Sequence, residues 1–435
     1  MEQKWFGILV LVISLWACAP VQEVTKEEVA SLREAKATFE DLYGLQPEHF
    51  DQTALSLIQK AEALNLQPET GELCLLYARY LLREQRYAEA FGYLNQVLNH
   101  PETNQHPDLL AGVLINLSYI YEQLGQEEVA ITYLEDCLLQ ATESKYYPAW
   151  AHARLALLYK ATDEEGHRHI AEAKELLPHI ANTDRVAAVT SILSEWLRRE
   201  EREAEAIEIL RQVPAESLSA YRSAYHYNKL GHLYLMAGSY QEAINALQYA
   251  QKQTASLHSP RLELWVHCNL ARAWEPLGKQ NMAIQSLEEA VKLAPQFMCL
   301  DEGLTFAYTQ LATYYIEEGR EPAAMAVRED YAGQAIRMAQ NQSALLPQFE
   351  RLKISLQEEQ LLAEKEAKVA TQQYWLSVAI AFLLFVTGGL LTIRACVRYK
   401  RKVGAQAERL TSGISAALQV LQSTEDERKR FLSKS

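Results

Sequence analysis

The chain has 435 residues, too many for one compact core of ordinary size, and 49% hydrophobic with 23% charged content excludes a disordered chain. Sparse glycine (17) and proline (13) favour long helices and short turns over a strand-rich fold. The net charge of −14 is polarised: residues 394–435 hold ten Lys/Arg against four Asp/Glu, so the remainder carries −20, as expected of a protein that crosses a membrane. The acidic bulk also argues against nucleic-acid binding, since it offers nothing to neutralise a phosphate backbone.

The N-terminus reads MEQKWFGILVLVISLWACAP, a short polar start and then an apolar run from Trp5 to Trp16. That run is short for a bilayer span and fits the core of a signal peptide over residues 1–18, which predicts export of the domain after it. Leu15-Trp16-Ala17-Cys18 resembles a bacterial lipoprotein signal, in which the cysteine is acylated, so Cys18 is the candidate lipidation residue. Trp16 is bulky where that pattern has a small residue, and ordinary cleavage or an uncleaved anchor stays open. Residues 19–44 are predicted to form a helical N-terminal cap.

From residue 45 to 340 the sequence repeats itself. The segment YNKLGHLYLMAGSYQEAINALQYA carries Leu230-Gly231, Tyr234, Gly238, Ala243, Leu247 and Ala250 in order. A second copy carries Leu270-Ala271, Trp274, Gly278, Ala283, Leu287 and Ala290, and a third Leu117-Ser118, Tyr121, Gly125, Ala130, Leu134 and Cys137. The small residue and the alanine let two helices cross closely, the glycine supports a tight turn, and the aromatic fills space between units. Weaker copies centre on Tyr77-Ala78, Leu155-Ala156, Leu193-Ser194 and Leu311-Ala312, with a partial unit at Ala54, Ile58 and Ala61. The copy at Leu155 is read with an irregular second helix from His167 to Leu177, and His167 and His169 with a polar loop. These offsets resemble the tetratricopeptide repeat family, which implies an all-α helix-turn-helix solenoid that binds partners on a concave face.

Residues 341–373 then read as one long charged helix, a stalk. From Trp375 to Ile393 the chain runs WLSVAIAFLLFVTGGLLTI without a charge, long enough at about 1.5 Å per residue to span a hydrocarbon core of about 30 Å. With Tyr374 as an interfacial aromatic, 374–393 is the predicted transmembrane helix. Arg394, Arg398, Lys400, Arg401 and Lys402 come next, which by the positive-inside rule makes 394–435 a cytoplasmic tail and the repeats periplasmic in an inner (cytoplasmic) membrane. Leu410, Ile414, Ala417 and Leu421 form a short heptad-like seam, leaving open a homodimer through stalk and tail.

No Walker loop, GxSxG or HExxH occurs, and no Cys/His cluster has zinc spacing, so neither an enzyme nor a cofactor or metal site is expected. Cys74, Cys137, Cys268 and Cys299 read as small core hydrophobes. Projecting the unit positions onto the inner wall gives a candidate groove of Tyr225, Asn228, His232, Trp265, Arg272, Phe306, Thr309 and Thr313. Aromatic, amide and cationic groups on a concave wall suit a peptide or protein segment. The architecture resembles sensor proteins of Bacteroidetes-type bacteria, in which a periplasmic repeat domain feeds a kinase or DNA-binding domain. Here all eleven histidines lie at or before His267, and the tail is too short for such an output. The expectation is a membrane-anchored signalling module without its output. The alternative is an envelope assembly scaffold, whose acidic solenoid would suit a basic partner.

Overall fold

The computed structural model describes residues 26–41, 47–140, 142–159, 164–257, 259–298 and 301–432. The signal-peptide segment, Cys18 and Cys299 lie outside them. Every regular element among the described residues is helical. Two compact units form, one reaching Leu352 and the other starting at Lys353.

In the first unit, α1 (Lys26–Asp41) and α2 (Pro47–Ala63) precede a run of helix pairs. These are α3 (Gln67–Arg83) with α4 (Tyr87–Leu98), and α5 (Pro107–Gln123) with α6 (Glu127–Leu138). Next come α7 (Tyr146–Leu158) with α8 (Glu164–Leu176), and α9 (Thr183–Arg199) with α10 (Glu203–Arg211). After them stand α11 (Ala220–Met236) with α12 (Tyr240–Thr254), and α13 (Pro260–Trp274) with α14 (Gln280–Lys292). The last pair is α15 (Glu302–Glu317) with the start of α16 (Glu321–Leu432).

The repeat residues sit where their chemistry requires. A Cβ on Gly231 would lie 2.5 Å from Leu247 Cγ and 3.3 Å from the Ala243 carbonyl oxygen, so α11 and α12 touch through that missing side chain. Ala130, Ala243 and Ala283 are fully buried, and so are Leu247, Leu287, Ala250 and Ala290. A fully buried leucine of this kind is worth about 2 kcal/mol. Cys74, Cys137 and Cys268 are buried free thiols, which fits their reading as core hydrophobes, while Cys396 is exposed.

The turn between paired helices is one motif used repeatedly. Gly125, Gly238, Gly278 and Gly319 have φ between 67° and 72°, and Asn65, Gln85 and Glu201 hold the same left-handed conformation without being glycine. In each turn the next residue donates back across it: Ser239 N to Tyr234 O at 2.8 Å, Arg86 N to Leu81 O at 2.8 Å, Arg202 N to Leu197 O at 3.0 Å. This is the left-handed C-terminal cap that satisfies the last carbonyls of a helix.

One segment departs from expectation. The stretch read as a polar loop and irregular helix at His167 is the regular helix α8, with His169, Ile170 and Ala173 buried at helical spacing. The core that those residues join outweighs the polar look of Glu164 and Glu165.

The repeat unit also extends past Gln340, into the segment read as stalk. Phe349 is only 4% exposed and packs edge-on against Phe91 of α4, ring centroids 5.1 Å apart. Pro347 lies inside α16, one turn before Arg351, whose Nε donates to the Pro347 carbonyl at 3.1 Å. The solenoid therefore curls until its late part meets its early part. Met298 N donates to Gln85 Oε1 at 3.2 Å, and Arg261 Nη1 to the Tyr119 hydroxyl at 3.3 Å.

The second unit is helical from Lys353 to Leu432. Its segment Lys365–Val420 contains a window of mean hydropathy 2.4 with none of it buried, long and apolar enough to cross a membrane.

Relieving the left-handed strain with Glu201→Gly should raise stability by about 1 kcal/mol, and Gly238→Ala should lower it by about 1 kcal/mol. Opposite shifts in the denaturation midpoint check this; equal shifts contradict it. Phe349→Ala should cost about 3 kcal/mol and speed amide exchange in α4, read by hydrogen–deuterium exchange.

Candidate functional site: the concave channel

The inner wall is built by a helical stripe repeated in register. On α11 the residues are Tyr225, Asn228, Lys229 and His232; on α13 they are Arg261, Trp265, Cys268, Asn269 and Arg272. Both keep the three- and four-residue spacing of one helix face. Together with Asp301, Glu302 and Gly303 at the start of α15, they enclose a cavity of about 460 Å³.

Of the residues expected in the groove, Tyr225, Asn228, His232, Trp265 and Arg272 line this cavity. Phe306 is reached through Arg272, whose guanidinium lies 4.0 Å from the ring centroid. Thr309 is exposed, and Thr313 Oγ1 donates to the Thr309 carbonyl of its own helix at 2.9 Å; neither lines the cavity. Sequence reasoning missed Lys229, Arg261, Asn269 and Asp301. Lys229 stands four residues after Tyr225 and Arg261 four before Trp265, so extending the helical period would have found both.

The polar groups are tightly placed. Asp301 caps α15, its Oδ1 accepting from Gly303 N at 2.8 Å and its Oδ2 from Arg261 Nε at 3.2 Å. Arg261 also stacks over Trp265, 4.9 Å to the centroid. Lys229 Nζ donates to Glu195 Oε2 at 3.2 Å. Burial would raise the Glu195 carboxyl, but the Arg198 hydrogen bond and the Lys229 charge outweigh it and hold it at about 2. Burial, with Lys229 beside it, pushes His232 down to about 4, so its imidazole is neutral at neutral pH. Arg272 Nη1 donates to Asn269 Oδ1 at 3.3 Å, and Asn269 Nδ2 donates to Asn228 Oδ1 at 3.1 Å.

A second cavity of about 310 Å³ shares Tyr225, Arg261 and Trp265 with the first and adds Arg79, Arg83, Arg222, Tyr119 and Tyr221. Arg83 lies over Tyr221 at 5.4 Å and Arg222 over Tyr225 at 5.8 Å. The channel is therefore basic and aromatic inside an acidic domain. Asp301 and Glu302 are the acidic residues that line the first cavity.

Away from the channel, His152 Nδ1 and His169 Nδ1 share a hydrogen bond of 2.8 Å, with Tyr159 stacked on His169. Among the described residues no group of three or more His, Cys, Asp or Glu could hold a metal ion. Burial pushes His152 down to about 4 and lowers His169.

The tetratricopeptide repeat family model matches residues 111–141 and 266–297, the segments of α5–α6 and α13–α14. Solved structures with a similar course include the APC/C hetero-tetramer Cut9–Hcn1, 15% identical over 78% of this chain and 57% of that one, TM-score 0.45. A human IFIT1 dimer bound to PPP-AAAA is 18% identical over 71% of this chain and 72% of that one, TM-score 0.42. A signal-transduction ATPase with a tetratricopeptide repeat sensor from Pyrococcus horikoshii is 15% identical over 66% of this chain and 54% of that one, TM-score 0.35. No curated protein matches the chain. The chain thus carries tetratricopeptide repeats within a stack of helix pairs.

Acid should loosen this fold. His152, His226 and His232 are each held near 4 by burial, so the unfolded chain, at about 6.5, binds protons that the folded one refuses. Stability should be full above pH 6.5 and fall between 6.5 and 4, by about 1.4 kcal/mol per pH unit for each histidine. Urea titrations across that window check it, and His226→Phe should flatten the slope.

Proposed function

We propose that this chain is a single-pass membrane protein whose repeat domain lies on the exported side and binds an extended protein or peptide segment in its concave channel. Binding is relayed by the stalk and the membrane helix to a cytoplasmic tail. The observation that carries the reading is the channel itself. Tyr225, Trp265 and Arg272 line a cavity that no helix of the repeat domain fills. Tetratricopeptide solenoids bind protein partners with such faces. The uncharged run Trp375–Ile393 and the basic cluster from Arg394 to Lys402 support the anchor and its orientation. Leu410 and Ile414 are exposed and supply a seam on which two tails would pair. The competing reading, an assembly scaffold tethered by the same helix, rests on the repeat array alone.

Protease added to spheroplasts should degrade the repeat domain and spare the tail; survival of the repeats would reverse the orientation. A cysteine at Gln406, in a chain with Cys396 replaced by serine, should cross-link to a degree that changes when periplasmic extract is added. A constant yield would favour the tether over the relay.

A further inference from the structure

The last helix pair exposes an apolar position that its neighbours bury. The residue after the repeat alanine is Phe91 in α4, Ile244 in α12 and Ile284 in α14, and these are 3%, 1% and 6% exposed. Phe91 meets Tyr121 of the following pair edge-on, ring centroids 6.3 Å apart. The same position in α16 is Met325, after Ala324, and it is 62% exposed, because α16 runs on as one helix where a further pair would begin. Met325 does not stand alone. Ala332, Ile336, Ala339, Ser343 and Leu346 are exposed too, and from Met325 onward they fall at intervals of seven, four, three, four and three residues. That is the a/d spacing of a seam between two helices. It lies opposite the face of α16 that meets the solenoid through Ala324, Tyr331, Met338 and Phe349. End repeats of soluble arrays carry a polar outer face, whereas this one carries methionine, isoleucine and leucine. Gly333 flanks the seam in mid-helix. A Cβ there would meet nothing within 4 Å, so no contact among the described residues requires a glycine, which is unfavourable in a helix interior. A second backbone packed close by would require it.

Resting on the membrane-anchored reading of the chain, we propose that this face binds a second copy of it, the two α16 helices packed parallel, side by side, along residues 325–346. The seam suits itself as a partner, since a two-fold axis along it sets like residues together and covers Met325, Ile336 and Leu346 of both copies. The charge beside it is self-complementary as well. Arg328 and Glu329 are exposed, and among the described residues no ion pair or hydrogen bond engages either side chain. They flank the seam one residue apart, so the axis brings Arg328 of each copy beside Glu329 of the other. Two copies inserted alike in one bilayer carry α16 in the same sense, which selects the parallel arrangement. The bilayer also confines them at a high effective concentration, which a seam of only a few turns needs.

The test uses the full chain, with Cys396 replaced by serine, in membranes of the expressing cell, and oxidises single variants Met325→Cys, Ile336→Cys and Ser343→Cys with copper phenanthroline. The parent chain gives the background. Each variant should form a disulfide-linked dimer, and Gln241→Cys, at an exposed position of α12, should not. Met325 and Ser343 tell the two directions apart. Parallel helices join each variant to itself, whereas antiparallel helices join Met325→Cys only to Ser343→Cys when the two are expressed together. Adding Ile336→Asp should lower the dimer yield of Met325→Cys by about tenfold or more, because pairing would bury that carboxylate, while circular dichroism shows the helices intact. Antiparallel joining overturns the proposal, and so does a yield at Gln241 equal to that along the seam. No dimer in a chain that resists carbonate extraction overturns the interface and leaves the anchor standing. Release by carbonate with the parallel cross-links formed overturns the anchor and leaves the seam standing.

Discussion

Six of the helix pairs described in the repeat domain depend on the chain reversing through one residue of left-handed backbone. Gly238 does this between α11 and α12, and Glu201 does it between α9 and α10 at a steric cost. The reversal brings the second helix back so close that Gly231 and Leu247 meet without room for a methyl group. With pairs of this geometry, the apolar residues left over can be buried only against the next pair. The core is then continuous along the stack, as the shared packing of α11, α13 and α15 shows. The inner stripe lines the space that the stacked pairs leave open.

Much of this was legible in the sequence, and the limits have physical causes. The offsets of Gly238, Gly278 and Gly125 reveal the turn because glycine tolerates positive φ freely. Gln85 and Glu201 occupy the same turn invisibly, since the surrounding pair enforces a conformation that their side chains disfavour. Helix α8 hid behind a polar composition; Ile170 and Ala173 carry its inward face, too few apolar positions to read as a stripe. In the channel, Tyr225, Asn228, His232, Trp265 and Arg272 were legible from helical period. Thr309 and Thr313, projected from the same unit positions, stand on α15 beyond the residues that line the cavity. The meeting of Phe349 with Phe91 was not legible at all. It depends on the small rotation between successive pairs, summed over the array, which no local pattern encodes.

Charge shows the same separation of scales. A net charge of −14 describes the chain, and a ligand in the channel does not meet it. Glutamates such as Glu89, Glu165 and Glu205 pair with arginines three residues away on outer helix faces, where water screens them. The inner arginines lie over aromatic rings in confined space, where screening is weaker and a counter-charge counts for more.

Arg261 ties these levels together. Its guanidinium holds the cap of α15 through Asp301, stacks on Trp265, and crosses the channel to the Tyr119 hydroxyl of α5. The contact with Tyr119 joins parts of the chain 142 residues apart, so it helps to set how tightly the superhelix curls. A guanidinium has a fixed number of donors. An acceptor that claims the one given to Tyr119 must loosen that bridge. A change in that one contact would therefore shift the curl of the solenoid, by an amount bounded by the one hydrogen bond exchanged. Helix cap, ring stack and long-range bridge are in this way held by one side chain, at the seam that joins two distant parts of the repeat array.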